Sequence, residues 1–160
     1  MKSLLKSFVY AFNGIITAVK TQRNLRIHIA AVIYVTAFSF FYEFTKIEYS
    51  ILILVYLIVI SLELVNTALE SVVDLCSPEY NKLAEIAKNC ASGAVLIAAI
   101  GAVIIGVFLF GDISILKKIL FYYCNNQMAS IGLLFSIIIF VWFIFYPEYK
   151  MKGKNNGNKN

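Results

Sequence analysis

The sequence predicts an all-α integral membrane protein, and three features of its composition support this fold class. Of the 160 residues, 61% are hydrophobic and 14% are charged, and the mean hydropathy is +0.81. Soluble globular domains are about 45–50% apolar and about 25% charged. The apolar residues form long runs of the kind that cross a bilayer as helices. Lys and Arg, which give the net charge of +5, lie beside these runs, as topology signals and lipid-headgroup contacts do. We therefore expect one membrane domain and no nucleic-acid partner.

The N-terminal segment, residues 3–20, predicts an amphipathic helix that lies in the membrane interface. Its apolar side chains cover an arc of about 140°, and its polar and basic side chains lie opposite. A basic amphipathic helix of modest hydrophobicity binds at headgroup level. Tyr10 stands on the polar face, where an aromatic residue is typical of a headgroup anchor. Because Lys6, Asn13 and Lys20 interrupt the apolar run, we expect no signal peptide.

Four later apolar runs predict membrane-spanning helices. They lie at about 25–42, 49–75, 90–111 and 129–146. The polar segment TQRNLR, residues 21–26, predicts a hinge before the first span. Ser77 and Pro78 have the residue types of an N-cap and a first helical position, so we expect a helix to restart there.

The C-terminal third adds an interfacial segment and the fourth span, residues 112–147, followed by a basic tail, residues 148–160. The tail is rich in Asn and Lys, and we expect it to be disordered. Small residues crowd the third span, so this helix is predicted to pack centrally or against another subunit.

The distribution of Lys and Arg predicts that the N-terminus lies in the cytoplasm. With four spans in this orientation, only Lys46, Lys117 and Lys118 of the 14 Lys and Arg residues face outside, which leaves eleven on the cytoplasmic side.

A stripe of polar residues within the second span predicts a functional site. Glu63, Asn66, Glu70 and Asp74 lie within an arc of about 80° on one helix face. Ionisable residues inside a membrane helix are costly and mark function by default. Glu63 has the position of a general base for a lipid hydroxyl, and Glu70 that of a magnesium ligand. Lys88, after the following turn, can contact a phosphate. The same stripe also fits an ion pathway or the packing of an oligomer.

Other ligand-type residues carry no comparable pattern. Cys76, Cys90 and Cys124 are far apart and form no CxxC pair, so we expect them to be reduced and incidental. His28, just inside the first span, is predicted to be a neutral interfacial residue. No GxxxxGK[ST] motif is present, so a nucleotide site here is not a P-loop.

The motif ELVNTALESVVD, followed by SPEY and AKNCASGAVLIAAI, resembles the family of small prokaryotic diacylglycerol kinases and undecaprenol kinases. SFVYAFNGI and KTQRNLRIH are similar to its Gram-positive, undecaprenol-kinase-like branch. The resemblance covers about residues 3–111, so residues 1–111 are expected to form a three-span lipid kinase core. The fourth span and the tail lie outside it.

The resemblance implies a homotrimer that transfers the γ-phosphate of MgATP to a lipid alcohol at the cytoplasmic boundary of a bacterial plasma membrane. It implies Glu63 as catalytic base, Glu70 as metal ligand, Asn66 and Asp74 as signature polar residues, and Arg26, Glu63 and Ser92 as lipid-substrate contacts. The implied ATP contacts are Tyr10, Glu70, Glu79, Tyr80, Asn81, Lys88 and Asn89.

Three positions depart from the family pattern. Gln22 stands where a second metal-binding glutamate is usual, Asn89 where an aspartate is usual, and Asn81 where a histidine is common. Gln22 keeps a carbonyl oxygen but loses a charge, so we expect weaker magnesium binding. The sequence thus predicts a kinase for undecaprenol. Its alternatives are a diacylglycerol kinase and a weakened or silent family member that acts as a lipid-binding scaffold.

Overall fold

The computed structural model describes residues 2–147, and six α-helices account for most of them, without a strand in this range. The all-α prediction is confirmed. The helices are α1 (Lys2–Thr21), α2 (Arg23–Ser39), α3 (Lys46–Cys76), α4 (Lys82–Phe110), α5 (Ile113–Asn125) and α6 (Gln127–Phe145). The predicted disordered tail, residues 148–160, lies outside the described residues.

The predicted hinge at residues 21–26 is shortened to a single residue, Gln22, which separates α1 from α2. Gln22 has an extended backbone, with φ −112° and ψ 113°. Its amide still donates to the Ala18 carbonyl over 2.8 Å, and its carbonyl accepts from the Arg26 amide over 3.4 Å. Polarity alone does not end a helix, and the segment contains neither Gly nor Pro. The residues after Gln22 therefore continue directly into α2.

The first predicted span is three residues shorter at its C-terminal end than the sequence pattern indicated. α2 ends at Ser39, and the Phe41 and Tyr42 amides close a turn onto the Phe38 and Ser39 carbonyls. α3 then begins after Thr45, whose side chain forms a reciprocal capping box with Glu48. The aromatic residues that lengthened the predicted span form this turn instead.

The prediction that a helix restarts at Ser77 and Pro78 is also wrong. α4 begins at Lys82, and its N-cap is Asn81, whose Oδ1 accepts from the Leu83 amide over 2.8 Å. The Ser77 hydroxyl instead donates to the Glu79 carbonyl over 3.2 Å. Asn and Ser are about equally good N-caps, so residue type could not choose between them.

The sequence predicts four membrane spans, but three helices of the described residues, α3, α4 and α6, are long and apolar enough to cross a membrane. The first predicted span corresponds to α2, which has only 17 residues. α3 and α4 form the central helical hairpin. α6 runs back along α2, because the Tyr34 hydroxyl lies 3.1 Å from the Ser136 hydroxyl and the Tyr34 ring lies 5.0 Å from the Phe140 ring. α2 and α6 therefore lie side by side in the bundle.

Candidate active site

The polar stripe of α3 runs from the buried interior of the bundle to its exposed end. Glu63 and Asn66 are 1% and 6% exposed, Glu70 is half-buried, and Asp74 is exposed. A spacing of three or four residues places all four on one face. The stripe thus offers one carboxylate deep in the bundle, at Glu63, and two nearer to its exposed end, at Glu70 and Asp74.

Asn66 forms one hydrogen bond to α4 and one within the stripe of α3. Its Oδ1 accepts from the Ser92 hydroxyl over 3.4 Å, and its Nδ2 donates to Oε1 of Glu70 over 3.0 Å. Because the amide is bonded at both ends, its orientation is fixed. The structure thus brings together a predicted substrate contact, a signature residue and the predicted metal ligand.

Glu63 and Arg26 each keep a buried polar atom without a hydrogen-bond partner. These atoms are Oε2 of Glu63 and Nε of Arg26, and the two residues are 1% and 2% exposed. No ion pair joins them in the described chain. A buried polar group without a partner costs about 1–3 kcal/mol, and such groups are rare in native structures. Two of them at the predicted substrate site indicate that a polar ligand group belongs there.

Lys88, the predicted phosphate contact, forms an ion pair with Asp74 over 2.5 Å. The two side chains are 38% and 67% exposed, so solvent weakens the pair. A nucleotide phosphate carries more negative charge than Asp74 and can compete for the ammonium group. The structure therefore places Lys88 at the exposed end of the stripe, held by the last carboxylate.

The loop between α3 and α4 contains the predicted nucleotide contacts. Glu79 and Tyr80 are exposed. The Tyr80 hydroxyl donates to Oε2 of Glu85 over 2.8 Å, and this hydrogen bond raises the pKa of Tyr80. Asn81 caps α4, so its side-chain oxygen is occupied by the helix end. Asn89, about two turns into α4, is exposed.

The amphipathic helix α1 lies along the face of α3 next to the stripe. Tyr10, its predicted nucleotide contact, is 71% exposed. Gln22 is half-buried, and no hydrogen bond joins it to Glu70 in the described chain. A groove of about 590 Å³ separates the two helices. Its lining includes Gly14, Thr17 and Ala18 of α1 and Leu64, Thr67 and Ser71 of α3.

The oxygen donors of this region fit magnesium that arrives with a nucleotide. Oε1 of Glu70 accepts from Asn66, which leaves Oε2 outside that hydrogen bond. Gln22 offers a carbonyl oxygen. Among residues 4–147, no group of three or more His, Cys, Asp or Glu side chains could form a metal cage. Magnesium is commonly held by one or two carboxylates together with waters and substrate phosphates, and a site with Glu70 as its main protein ligand would be of this kind.

One contact near the site was missed by sequence reasoning. The Arg23 guanidinium lies over the Phe145 ring, 4.5 Å from its centroid. One indication of this contact was present in the sequence: Arg23 begins α2 and Phe145 ends α6, and the predicted topology puts both on the same side of the membrane. A pattern within one helix cannot show which residues of two distant helices meet.

The fold and the site together define a helical membrane protein with a buried carboxylate near one end of its bundle. Residues 9–110 match the prokaryotic diacylglycerol kinase family. The chain therefore belongs to the prokaryotic diacylglycerol kinase family and to the class of membrane lipid kinases. The predicted resemblance is confirmed, and α5 and α6 lie beyond the matched residues.

The curated relatives described here are named either diacylglycerol kinase or undecaprenol kinase. A diacylglycerol kinase of Synechocystis is 52% identical over 105 residues, 65% of this chain and 60% of that protein's length. An undecaprenol kinase of Bacillus subtilis is 40% identical over 110 residues, 69% of this chain and 89% of the relative. A diacylglycerol kinase of Escherichia coli is 33% identical over 101 residues, 63% of this chain and 83% of the relative.

Proposed function

We propose that this chain transfers the γ-phosphate of MgATP to the hydroxyl group of a membrane lipid alcohol, most directly undecaprenol. The observation that carries the proposal is Glu63, a carboxylate 1% exposed whose Oε2 has no hydrogen-bond partner. A hydroxyl group that donates to this atom would satisfy it. Glu63 also lies on the membrane helix α3, where the hydroxyl of a lipid can reach it.

Glu63 acts as the general base of the transfer. It accepts the proton of the lipid hydroxyl while that oxygen forms a bond to the γ-phosphorus and the bond from the γ-phosphorus to the β-phosphate oxygen breaks. The products are the lipid phosphate and ADP, and the proton remains on Glu63 until it passes to solvent. Arg26 and Ser92 position the lipid head. Asn66 holds the side chains of Ser92 and Glu70 in place by one hydrogen bond to each.

Glu70 and Gln22 supply the protein oxygens for magnesium. When bound with ATP, the ion would offset the negative charge of the phosphates. Lys88 leaves Asp74 and contacts the transferred phosphate. Tyr10, Glu79 and Tyr80, which are all exposed at this end, contact the nucleotide. Asn81 and Asn89 flank the nucleotide. Asn81 contributes mainly by capping the start of α4.

Two relatives with different names support different lipid substrates. The relative named undecaprenol kinase aligns over 89% of its length, whereas the more identical relative named diacylglycerol kinase aligns over 60% of its own. Diacylglycerol is therefore the second candidate substrate. A silent scaffold is the third, favoured by Gln22 and Asn89, which remove acidic groups from the nucleotide end.

We also propose that the protein is a homotrimer in the bacterial plasma membrane with its N-terminus in the cytoplasm. The excess of Lys and Arg on one side supports this orientation. An added Cβ at Gly93 or Gly101 of α4 meets no other atom within 4 Å. This leaves room for the close approach of a second subunit.

Glu63→Gln tests the proposal. The amide keeps the shape of the side chain but cannot accept the proton, so we expect transfer from labelled MgATP to fall at least a hundredfold. Glu43→Gln, an exposed glutamate in the turn between α2 and α3, is the matched control and should retain activity. Equal activity of Glu63→Gln and wild type would contradict the proposed role of the base.

A further inference from the structure

The C-terminal helix α6 contacts α2 at two levels of one face. At the first turn of α2, the Arg23 guanidinium lies 4.5 Å from the centroid of the Phe145 ring. Further along the helix, the Tyr34 hydroxyl lies 3.1 Å from the Ser136 hydroxyl, and the Tyr34 ring lies 5.0 Å from the Phe140 ring. Tyr34 follows Arg23 by eleven residues, and eleven steps of about 100° return to the same side of a helix. α6 is therefore aligned with α2 as far as its first turn.

The first turn of α2 also leads to Arg26, the predicted contact for the lipid head. Arg26 follows Arg23 by three residues, which is nearly one helical turn. Its side chain is 2% exposed, and its Nε has no hydrogen-bond partner. The direction of a helical side chain is coupled to the backbone that carries it. A contact that holds this turn therefore also holds the Arg26 guanidinium in position.

The link to α1 holds this turn weakly. Gln22, the single residue between the two helices, is the N-cap of α2 and forms no side-chain cap hydrogen bond. The Arg26 amide donates to the Gln22 carbonyl over 3.4 Å, which is longer than the usual range of about 2.7–3.2 Å. Among the described residues, no carboxylate forms an ion pair with Arg23. The Phe145 ring therefore supplies a side-chain contact where the backbone hydrogen bonding is weak.

We infer that α6 positions the end of α2 that binds the substrate, and that Phe145, through Arg23, holds the turn from which Arg26 reaches the lipid head. The inference rests on the proposed lipid kinase function and adds to it a residue outside the part of the chain that matches the family. Phe145 is a positioning residue, because its ring contacts Arg23 and acts on the substrate only through α2. Loss of the ring face should therefore weaken lipid binding and spare nucleotide binding.

Phe145→Leu and Phe145→Trp test the inference in transfer assays with undecaprenol and labelled MgATP. Leucine removes the ring face, whereas tryptophan offers the ring that attracts a cation best. We expect Phe145→Leu to raise the KM for undecaprenol about two- to fivefold, the factor that corresponds to one exposed cation–π contact. Phe145→Trp should stay close to wild type.

The other kinetic constants separate positioning from a general loss of activity. The kcat of Phe145→Leu should change little, since Arg26 binds the lipid head equally before and during transfer. The KM for ATP should also change little, because Lys88, the proposed phosphate contact, lies on α4.

Two control variants separate positioning from a loss of stability. Tyr34→Phe removes the hydrogen bond with Ser136 and keeps the aromatic ring, about 16 Å along α2 from the first turn. Phe135→Leu makes the same substitution elsewhere on α6, at a residue that is 64% exposed against 63% for Phe145. Both variants leave the contact at the first turn intact. Their KM for undecaprenol should stay close to wild type even where their unfolding midpoints fall.

Lipid binding is also measured without phosphate transfer. A ligand that binds the folded protein raises its unfolding midpoint as the ligand concentration increases. The undecaprenol concentration needed for the same rise should be about two- to fivefold higher for Phe145→Leu than for wild type or Phe145→Trp. This measurement decides the positioning role even if the wild type transfers no phosphate, a result that would instead contradict the lipid kinase.

Four results would overturn the inference. Unchanged lipid KM and unchanged stabilisation by undecaprenol in Phe145→Leu would show that the ring does not affect the site. Equal increases of the lipid KM in Phe145→Leu and Phe145→Trp would exclude the ring face as the cause. An equal increase in Tyr34→Phe would show that α6 contributes only stability. A joint rise of the KM for lipid and for ATP would show that Phe145→Leu loosens the whole bundle.

Discussion

The Arg23 guanidinium lies 4.5 Å above the centre of the Phe145 ring and joins the first residue of α2 to the last residue of α6. This contact lies next to Gln22, the single residue that separates α1 from α2. α6 lies outside the region shared with the kinase family. The additional helix is therefore attached to the kinase core at the end of the bundle where the polar stripe opens.

Replacing Phe145 with Leu should loosen this attachment. The leucine keeps apolar bulk but removes the ring face that attracts the cation, an interaction of about 0.5–1 kcal/mol at an exposed site. We expect the free energy of unfolding in detergent to fall by about that amount. Phe135→Leu, at an exposed α6 position, is the control and should have a smaller effect. Equal losses in the two variants would show that the ring contact is not stabilising.

Replacing Lys88 with Met should raise the KM for ATP by about tenfold or more, because the variant loses a charge-assisted hydrogen bond to the phosphate. The lipid KM should change little. Lys82→Met removes a lysine at the same end of α4 that is 68% exposed and pairs with Glu85, and it should leave the KM for ATP nearly unchanged. If both variants weaken ATP binding equally, Lys88 contributes only to the general positive potential.

Replacing Asn81 with Ala should destabilise the protein by about 1 kcal/mol, because the first turn of α4 loses its cap. Asn81→Asp should restore most of that loss, since an aspartate oxygen can accept from the same amides. Ser77→Ala should cost less, because Ser77 ends α3 through its backbone amide, which an alanine keeps, and its side chain accepts from no helix amide. Thermal unfolding of the three variants in one detergent measures the differences. A larger loss for Ser77→Ala would contradict the observed start of α4.

The sequence predicted those features of the fold that depend on a single helix. The apolar runs located α3 and α6 to within three residues at each end, whereas α4 begins eight residues before its predicted span. The spacing of Glu63 and Asn66 located the stripe. The helix ends were less predictable. Ser77 and Asn81 are both good caps, and the choice between them depends on how the chain turns back onto α3. The polar segment after Thr21 resembled a hinge, although its residues are compatible with a helix.

The sequence predicted which residues form the candidate site, but not which of them form hydrogen bonds or ion pairs with each other. Glu70 and Lys88 followed from charge and depth, yet Lys88 pairs with Asp74 rather than standing free. The bond between Ser92 and Asn66 crosses from α4 to α3, and it depends on the rotation of one helix against the other. For the same reason, the contact between Arg23 and Phe145 could not be predicted. Contacts between helices follow from their packing, which a pattern along one helix does not contain.

The most direct test of the account is phosphate transfer from labelled MgATP by the purified wild-type protein, with undecaprenol and diacylglycerol assayed side by side. Gln22→Glu is measured in parallel over a range of magnesium concentrations. We expect wild-type transfer to undecaprenol to exceed that to diacylglycerol, and we expect Gln22→Glu to reach half-maximal activity at a lower magnesium concentration, because it adds a carboxylate ligand. Failure of both proteins to phosphorylate either lipid would contradict the kinase and favour the scaffold.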